Sequence, residues 1–549
     1  MYTAPRLATI PRQGNKRVPV LRLHNVRVRY NAPIDEITRA AFAKLRGARI
    51  DLTGLRVVRR SIDTRSKPRI LWSLAVEFEG DPDLISHLPQ NEASVVEPVS
   101  EPLLVPGDEP FSARPVIVGS GPAGLFAALT LAQRGYEPIV VERGREIPNR
   151  NTDVSHLMSE GRLDPESNFL FGLGGAGAYS DGKLMTRIGD SRVRWVLETF
   201  AGCGAPEAIL IDARPHIGSD LLPGVVTNLR HKIEALGGGF RFNSRVARLE
   251  LDSAGGITGA IFSDGVTLAA GVVVLAAGAW ADDLVESLFS QGIAIEPKPF
   301  QIGVRIEHPQ GVIDNGVYGQ PRGDLPAAEY IMSCPPERGK RGVATFCMCP
   351  GGIIVPAICR EGRLSTNAMS RSARDGKFAN AALVVTVAPE DLKSKEPLAG
   401  LHFQRDVERA AYDISKSYRA PSQTVEDFLS DSKSESLPES SYPLSLVPVN
   451  LKTLLPRFLS DALRNALLHF DRKIAGFIRH GLLVGVEARV SSSIRIVRNE
   501  ETFESISTGR LYPVGEGAGY AGGIVSSAVD GIRAAESIVS RFAAFSLRA

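Results

Sequence analysis

The chain has 549 residues, 43% of them hydrophobic and 23% charged, which excludes a disordered polymer and fits a globular protein of two or more domains. Its net charge of +3 is unevenly spread, because residues 1–90 hold 17 Lys and Arg against 8 Asp and Glu. That surplus is read as a solvated basic face in preference to a nucleic-acid or anionic-lipid surface, since exposed charge on a small domain needs no partner.

The opening stretch MYTAPRLATIPRQGNKR lacks the apolar segment of a secretory signal. LRLHNVRVRY alternates as a strand, IDEITRAAFAKLRG has helical spacing, and LRVVRRSIDTR and RILWSLAVEFEG alternate again. This βαββ order predicts a small ferredoxin-like α+β domain over residues 1–90. Residues 91–113, rich in Pro and Glu and without periodicity, are expected to be a linker.

PVIVGSGPAGLFAALTLAQRGYEPIVVERG, from Pro115, predicts an apolar strand, a glycine turn, a helix and a second strand ending in an acid. Such a unit binds a dinucleotide. Gly119 allows the tight turn, Gly121 lets a pyrophosphate approach the backbone, and Gly124 lets the helix pack on the strand. Ser120, Pro122 and Ala123 complete the turn, and the helix start supplies N–H donors to phosphate. Glu142, 23 positions after Gly119 and beside Arg143, is expected to hold ribose hydroxyls. A carboxylate there disfavours a 2′-phosphate, leaving FAD or NAD.

The second strand then leads into NRNTDVSHLMSEGRLDPESNFLFGLGGAGAYSDGKL, a long irregular stretch rather than another βα unit. Long glycine-rich loops in compact domains are usually functional. Gly174, Gly175, Ala176, Ser180, Asp181 and Lys183 are expected to lie against a large planar ligand, which favours FAD. Downstream, a strand brings Val246 near an adenine, and VVVLAAGAWADDL returns to the nucleotide with Ala277 and Gly278.

Residues 301–505 are read as a substrate domain with a helical insertion near 390–470, whose Ser-rich run Ser430–Ser441 is expected to be a mobile loop. Within FCMCPGG, Cys347 and Cys349 share one face of a strand. Catalytic or redox work and simple pocket lining are both open to them. Arg305, Asn367, Glu487 and Arg489 are polar residues in apolar strand-like text. They either bind an anionic substrate, the role assigned to Arg305, Asn367 and Arg489, or satisfy one another. The five cysteines are too irregularly spaced for a disulfide framework, and no metal site is expected. Finally, LYPVGEGAGYAGGIVSSAVDGI returns the chain to the nucleotide domain over 506–549. It crowds Gly515, Gly522 and Gly523 around Glu516, Ala521 and Ile524, which indicates close approach of backbone to a ligand.

GSGPAG, GLGGAGAYSDGKL, ARPHIGSD, FCMCPGG, GVEARVSSSIRI and LYPVGEGAGYAGGI together resemble the uncharacterised FAD-dependent dehydrogenases of bacteria and plastids. The resemblance covers nearly the whole chain. It implies an α/β fold: a Rossmann-like FAD-binding domain of the glutathione-reductase-like class over 114–300 and 506–549, an inserted mixed α+β substrate domain, and the small N-terminal domain. It also implies that Gly515 and Glu516 stand where related flavoproteins carry a Gly-Asp pair on the ribityl chain. The helix start at Gly522, Gly523 and Ile524 would then face the pyrimidine edge of the flavin.

The function expected is an FAD-dependent oxidoreductase, a dehydrogenase or reductase acting through flavin N5 on a small organic substrate. Because no dedicated NAD(P)H domain built of strand, glycine turn, helix and second strand is read beside the FAD unit, the electron donor is expected to be the substrate itself, or a transiently docked NAD(P)H or protein. An RNA-directed flavoprotein, a flavin monooxygenase and a protein with purely structural FAD are the alternatives. No run of about eighteen apolar residues occurs, so no membrane span is expected and the cytoplasm is the expected compartment. The sequence leaves the oligomeric state open.

Overall fold

The computed structural model describes residues 18–45, 54–97, 104–336 and 341–544. They divide into two units, one within Met1–Glu101 together with Ile211–Ala213, the other within Pro102–Leu210 and Arg214–Ala549.

In the smaller unit the strands Val20–Arg29, Arg56–Asp63, Leu71–Glu79 and Ala93–Val95 form one sheet with Leu71–Glu79 and Val20–Arg29 at its centre. The helix Ile34–Lys44 buries Ile37 and Ala41 against Leu21, Leu23, Val26 and Val28. Residues 91–113 are therefore not all linker: Ala93–Val95 pairs antiparallel with Leu21–Leu23, and residues 98–103 lie outside the described residues. Part of the basic surplus is neutralised within the sheet, where Arg22 and Arg56 both bind Glu77, and Arg27 and Arg65 both approach Asp63.

The larger unit is built on a five-stranded parallel sheet in the order Leu511–Pro513, Val273–Leu275, Val116–Val118, Ile139–Val141, Gly239–Arg241. The three central strands are short apolar runs, as strands covered on both faces must be. On one face lie the helices Pro122–Ala132 and Ile524–Arg541. On the other, the antiparallel strands Val246–Leu251, Ile257–Phe262 and Thr267–Ala269 share a core with Val116, Val118 and Val273. This is an α/β Rossmann-like arrangement. Val116–Val118 is flanked by the next strand in sequence on one side and a much later one on the other, which opens a crevice at its carboxyl end.

A seven-stranded sheet follows, running Ser333–Cys334, Val343–Cys349, Phe378–Val387, Phe300–Pro309, Leu482–Glu487, Ala420–Thr424, Leu446–Pro448. Its last two strands come from the insertion near 390–470, so that segment is not purely helical, although Ala399–Asp413 and Arg457–Asp471 are helices. The Ser-rich run within it is pinned rather than loose. Ser434 donates to Asp427 at 2.6 Å and accepts from the Thr424 N–H at 3.0 Å, while Ser441 donates to the buried Glu307. Composition alone suggested a segment unable to order itself, but each of these hydroxyls has found a buried or backbone partner.

Helix Pro122–Ala132 is buried from Ala123 onward, and it meets helix Ile524–Arg541 at Gly531. A Cβ on Gly531 would fall inside the van der Waals radius of the Ala123 carbonyl oxygen. Gly531→Ala is therefore expected to lower stability by about 1–3 kcal/mol through overpacking, although alanine is the better helix former by about 1 kcal/mol. Thermal unfolding of the variant against the parent measures this.

Candidate functional site

Four of the five parallel strands deliver sequence-predicted residues at their carboxyl ends. Val116–Val118 runs into Gly119–Ala123, Ile139–Val141 into Glu142 and Arg143, Val273–Leu275 into Ala277 and Gly278, and Leu511–Pro513 into Gly515 and Glu516. Val246 is buried in one core with Val118 and Val141, two residues after Ser244, whose N–H donates to the Glu142 carbonyl at 2.9 Å.

Glu142 is the junction of this edge. One carboxylate oxygen accepts from the Ser120 N–H at 3.0 Å and the Ser120 hydroxyl at 2.7 Å, the other from the Gly144 N–H at 2.9 Å and the Gly172 N–H at 3.0 Å. Four donors fill the acceptor capacity of a carboxylate. The ribose role expected for Glu142 is thus replaced in this structure by a bracing role, joining the glycine turn to the long loop. A second brace is Arg150, which the sequence reading missed. Its fully buried guanidinium donates to the carbonyls of Asn168, Leu173 and Gly175 at 2.7–2.9 Å. Burial holds its pKa down to about 10. An arginine in a polar helix carries no sequence signal for that task.

The glycines fall into two sets. A Cβ on Gly119 would strike the Ala276 carbonyl, one on Gly124 the Gly119 carbonyl, one on Gly517 the Gly278 carbonyl, and one on Gly519 the Ile494 carbonyl. These four permit packing. A Cβ on Gly121, Gly278 or Gly523 would meet nothing within 4 Å, and one on Gly522 would have only Glu516 nearby, at 3.6 Å. The second set, with Pro122, Gly175, Ala176, Ala277, Ala521 and Ile524 at least partly accessible around it, leaves backbone bare to an incoming group. Gly121 precedes helix Pro122–Ala132 and Gly523 precedes helix Ile524–Arg541. Two helix starts with unpaired N–H groups therefore border open backbone, and such ends favour anions and developing negative charge. That donor set fits a dinucleotide carrying a flavin.

The last loop is held from behind. Asp530 accepts from the Gly515 N–H at 2.7 Å and from Arg498 at 2.6 and 3.0 Å. Burial raises the Glu516 carboxyl to about 7, with Lys298 and the Gly523 N–H opposing that shift.

Several expected ligand contacts are internal instead. Arg143 binds Glu166 and Asp283 and stacks over Phe171. Ser180 donates to the Gly177 carbonyl at 2.8 Å. Asp181, buried, binds Lys183 at 2.7 Å and Arg374 at 2.6 Å; burial would raise its pKa, but those two cations bring it to about 2. Arg305 is fully buried with all five N–H donors used: two to Glu487, one to Asn367, one to Asn380 and one to the Cys347 carbonyl. Asn367 in turn accepts from Arg305 at 3.0 Å and from the Ala368 N–H at 2.8 Å. Arg489 binds Glu408 and Asp282. The substrate-binding role expected of Arg305 and Arg489 is corrected on this ground, because a saturated buried guanidinium has nothing left to offer an anion, whereas Asn367 is bound through its amide oxygen alone. Cys347, partly exposed, and Cys349, buried, stand beside Lys183 and Arg305.

Two family models match the nucleotide and C-terminal segments of the larger unit. Residues 113–287 match the pyridine nucleotide-disulphide oxidoreductase family, residues 299–490 the family described as FAD-dependent protein, C-terminal domain-like, and residues 21–79 a domain of unknown function. An uncharacterised protein of Clostridium beijerinckii is 42% identical over 530 residues, spanning 95% of this chain and 99% of that one. Among solved structures, glycine oxidase from Geobacillus kaustophilus is 13% identical with a TM-score of 0.34, covering 79% of this chain and 96% of that one. Glycerol-3-phosphate dehydrogenase from Bacillus halodurans, complexed with FAD, is 12% identical with a TM-score of 0.34, covering 79% of this chain and 65% of that one. The chain belongs to the family of FAD-dependent proteins that it shares with its clostridial relative, its cofactor is FAD, and it is an oxidoreductase of that family.

Proposed function

We propose that this protein is an FAD-dependent dehydrogenase or reductase passing a hydride or two electrons between the flavin and a small organic substrate. Segments 114–300 and 506–549 hold FAD, and 301–505 hold the substrate. The observation that carries this reading is the open backbone at Gly121, Gly278 and Gly523, next to two helix starts at the carboxyl edge of the parallel sheet. Bound FAD supplies a two-electron acceptor at N5. Gly121 and the first turn of helix Pro122–Ala132 offer N–H donors to the pyrophosphate, while the start of helix Ile524–Arg541 offers donors and a positive dipole end to the flavin edge that gains charge on reduction. Glu516, whose carboxyl burial raises to about 7, keeps its proton below that pH and can then donate a hydrogen bond that an ionised acid cannot.

Purified protein should be yellow, and its flavin absorbance should bleach anaerobically with its organic substrate or with a nicotinamide donor and return with an acceptor. A flavin that dithionite reduces, but that no member of a broad substrate and acceptor panel reduces or reoxidises, would leave the cofactor structural.

Gly121→Val places a side chain only in the open space, so it should leave the circular dichroism spectrum unchanged while flavin occupancy falls at least about tenfold. Equilibrium dialysis of FAD against parent and variant reads this.

Glu516 also sets a pH dependence. Between its ordinary 4.5 and about 7 the unfolded chain ionises this carboxyl while the folded protein keeps its proton. The group therefore lowers stability as pH rises through that window and adds no further change above it. Glu516→Gln should remove this slope. The thermal midpoint of the parent should fall relative to the variant from about pH 5 to about pH 7 and run parallel beyond.

A further inference from the structure

The strand Val343–Cys349 loses its register against Phe378–Val387 between Phe346 and Cys349. Phe346 faces Ala382 and Cys349 faces Asn380, so the bulge holds Cys347 and Met348. Cys347 has φ +43, a left-handed conformation uncommon for a residue with a side chain. Such bulges re-aim side chains and cluster at functional sites. An extended strand separates Cα atoms two residues apart by about 6.6 Å, within the upper limit for a disulfide of about 6.8 Å.

The surroundings select one sulfur for ionisation. The Cys349 side chain lies against Cys347, its thiol donating to the Cys347 carbonyl at 3.4 Å, and this neighbour together with the fields of Lys183 and Arg305 depresses the Cys347 thiol below its ordinary range. The same contact, with burial, raises Cys349. Asp181 opposes ionisation, but it is bound to Lys183 and Arg374. Glu487 is bound to Arg305, and burial raises its pKa to about 7. Asn380, fully buried and facing Cys349, has an amide nitrogen without a hydrogen-bond partner, and the buried Tyr330 hydroxyl is likewise unpaired. Elsewhere burial raises the thiols of Cys203 and Cys359.

We propose that Cys347 and Cys349 form a thiol pair that reduces small disulfides, with Cys347 attacking and Cys349 resolving. The Cys347 thiolate attacks one sulfur of the substrate disulfide, forming a mixed disulfide and expelling the other sulfur as a thiolate. Cys349 then gives up its proton and attacks the Cys347 sulfur, expelling the second thiolate. One disulfide and the protein dithiol become two small thiols and a Cys347–Cys349 disulfide, so electrons and protons balance. This inference does not depend on the flavin reading, since neither sulfur is needed to hold a cofactor.

Reduced full-length protein with its flavin, treated anaerobically with substoichiometric 4,4′-dithiodipyridine, tests it. Two thiopyridones should leave per reagent consumed, and peptide mapping should find the Cys347–Cys349 peptide lighter by two hydrogen atoms. Cys349→Ser should arrest at a mixed disulfide on Cys347 with one thiopyridone released. From pH 8 to pH 6 the Cys347 reaction should slow less than about twofold, whereas an unperturbed thiol slows on the order of a hundredfold. A mixed disulfide persisting in the parent protein, a fast phase mapping to another cysteine, or an ordinary thiol pH profile would overturn the proposal. Mapping of the parent makes the assignment even if a variant fails to fold.

Discussion

The carboxylate of Glu142 is the contact on which the candidate site depends. It ends one strand, receives two donors from the turn that ends the neighbouring strand, and receives a third from Gly172 in the segment between helix Ile147–Glu160 and the short helical turn Gly175–Tyr179, so the stretch read as irregular is partly helical. Hydrogen bonds to a charged group contribute about 1.5–3 kcal/mol each, and a buried carboxylate deprived of them bears its full desolvation cost. The same four bonds thus keep an acid in the interior and keep the loop against the glycine turn. Arg150 repeats the arrangement with opposite charge, gathering carbonyls where Glu142 gathers N–H groups. Between them the Gly172–Gly175 backbone is fixed on both its donor and acceptor sides.

How much of this was legible depended on whether the signal was periodic. The strand, turn, helix and strand around Gly119–Gly124 could be read because apolar runs and glycines at fixed spacing follow from backbone geometry. The βαββ order of the first unit was legible from alternation alone. Arg305 and Arg489 were visible as polar residues in apolar text, but the alternative between ligand and internal partner turns on side-chain acceptors of Glu487, Asn367, Glu408 and Asp282, which lie far away in the chain. Pairing across such separations leaves no local pattern. The Ser-rich run was misleading in part for the same reason, since Glu307, which anchors Ser441, lies 134 positions away.

Crowded glycines had suggested one role, and the structure separates two. Gly517 and Gly519 touch neighbouring carbonyls and serve the protein's own packing, whereas Gly522 and Gly523, a few positions on, face open space. A motif that reads as a single cradle is therefore half hinge-pin and half doorway, and substitutions within it should fail by different routes.

The packing of helix Pro122–Ala132 also bears on the order of synthesis. Its apolar surface is covered by helix Ile524–Arg541, and the Tyr136 hydroxyl just beyond it donates to the Phe542 carbonyl 406 positions later. A ribosome emits the fingerprint helix long before its cover exists. Until the last strand and helix emerge, the nascent chain carries a hydrophobic helix on an unfinished sheet, with an unpaired edge beside it. Maturation of this nucleotide site is accordingly a late event, exposed to chaperone capture and aggregation for most of the time the chain takes to be made.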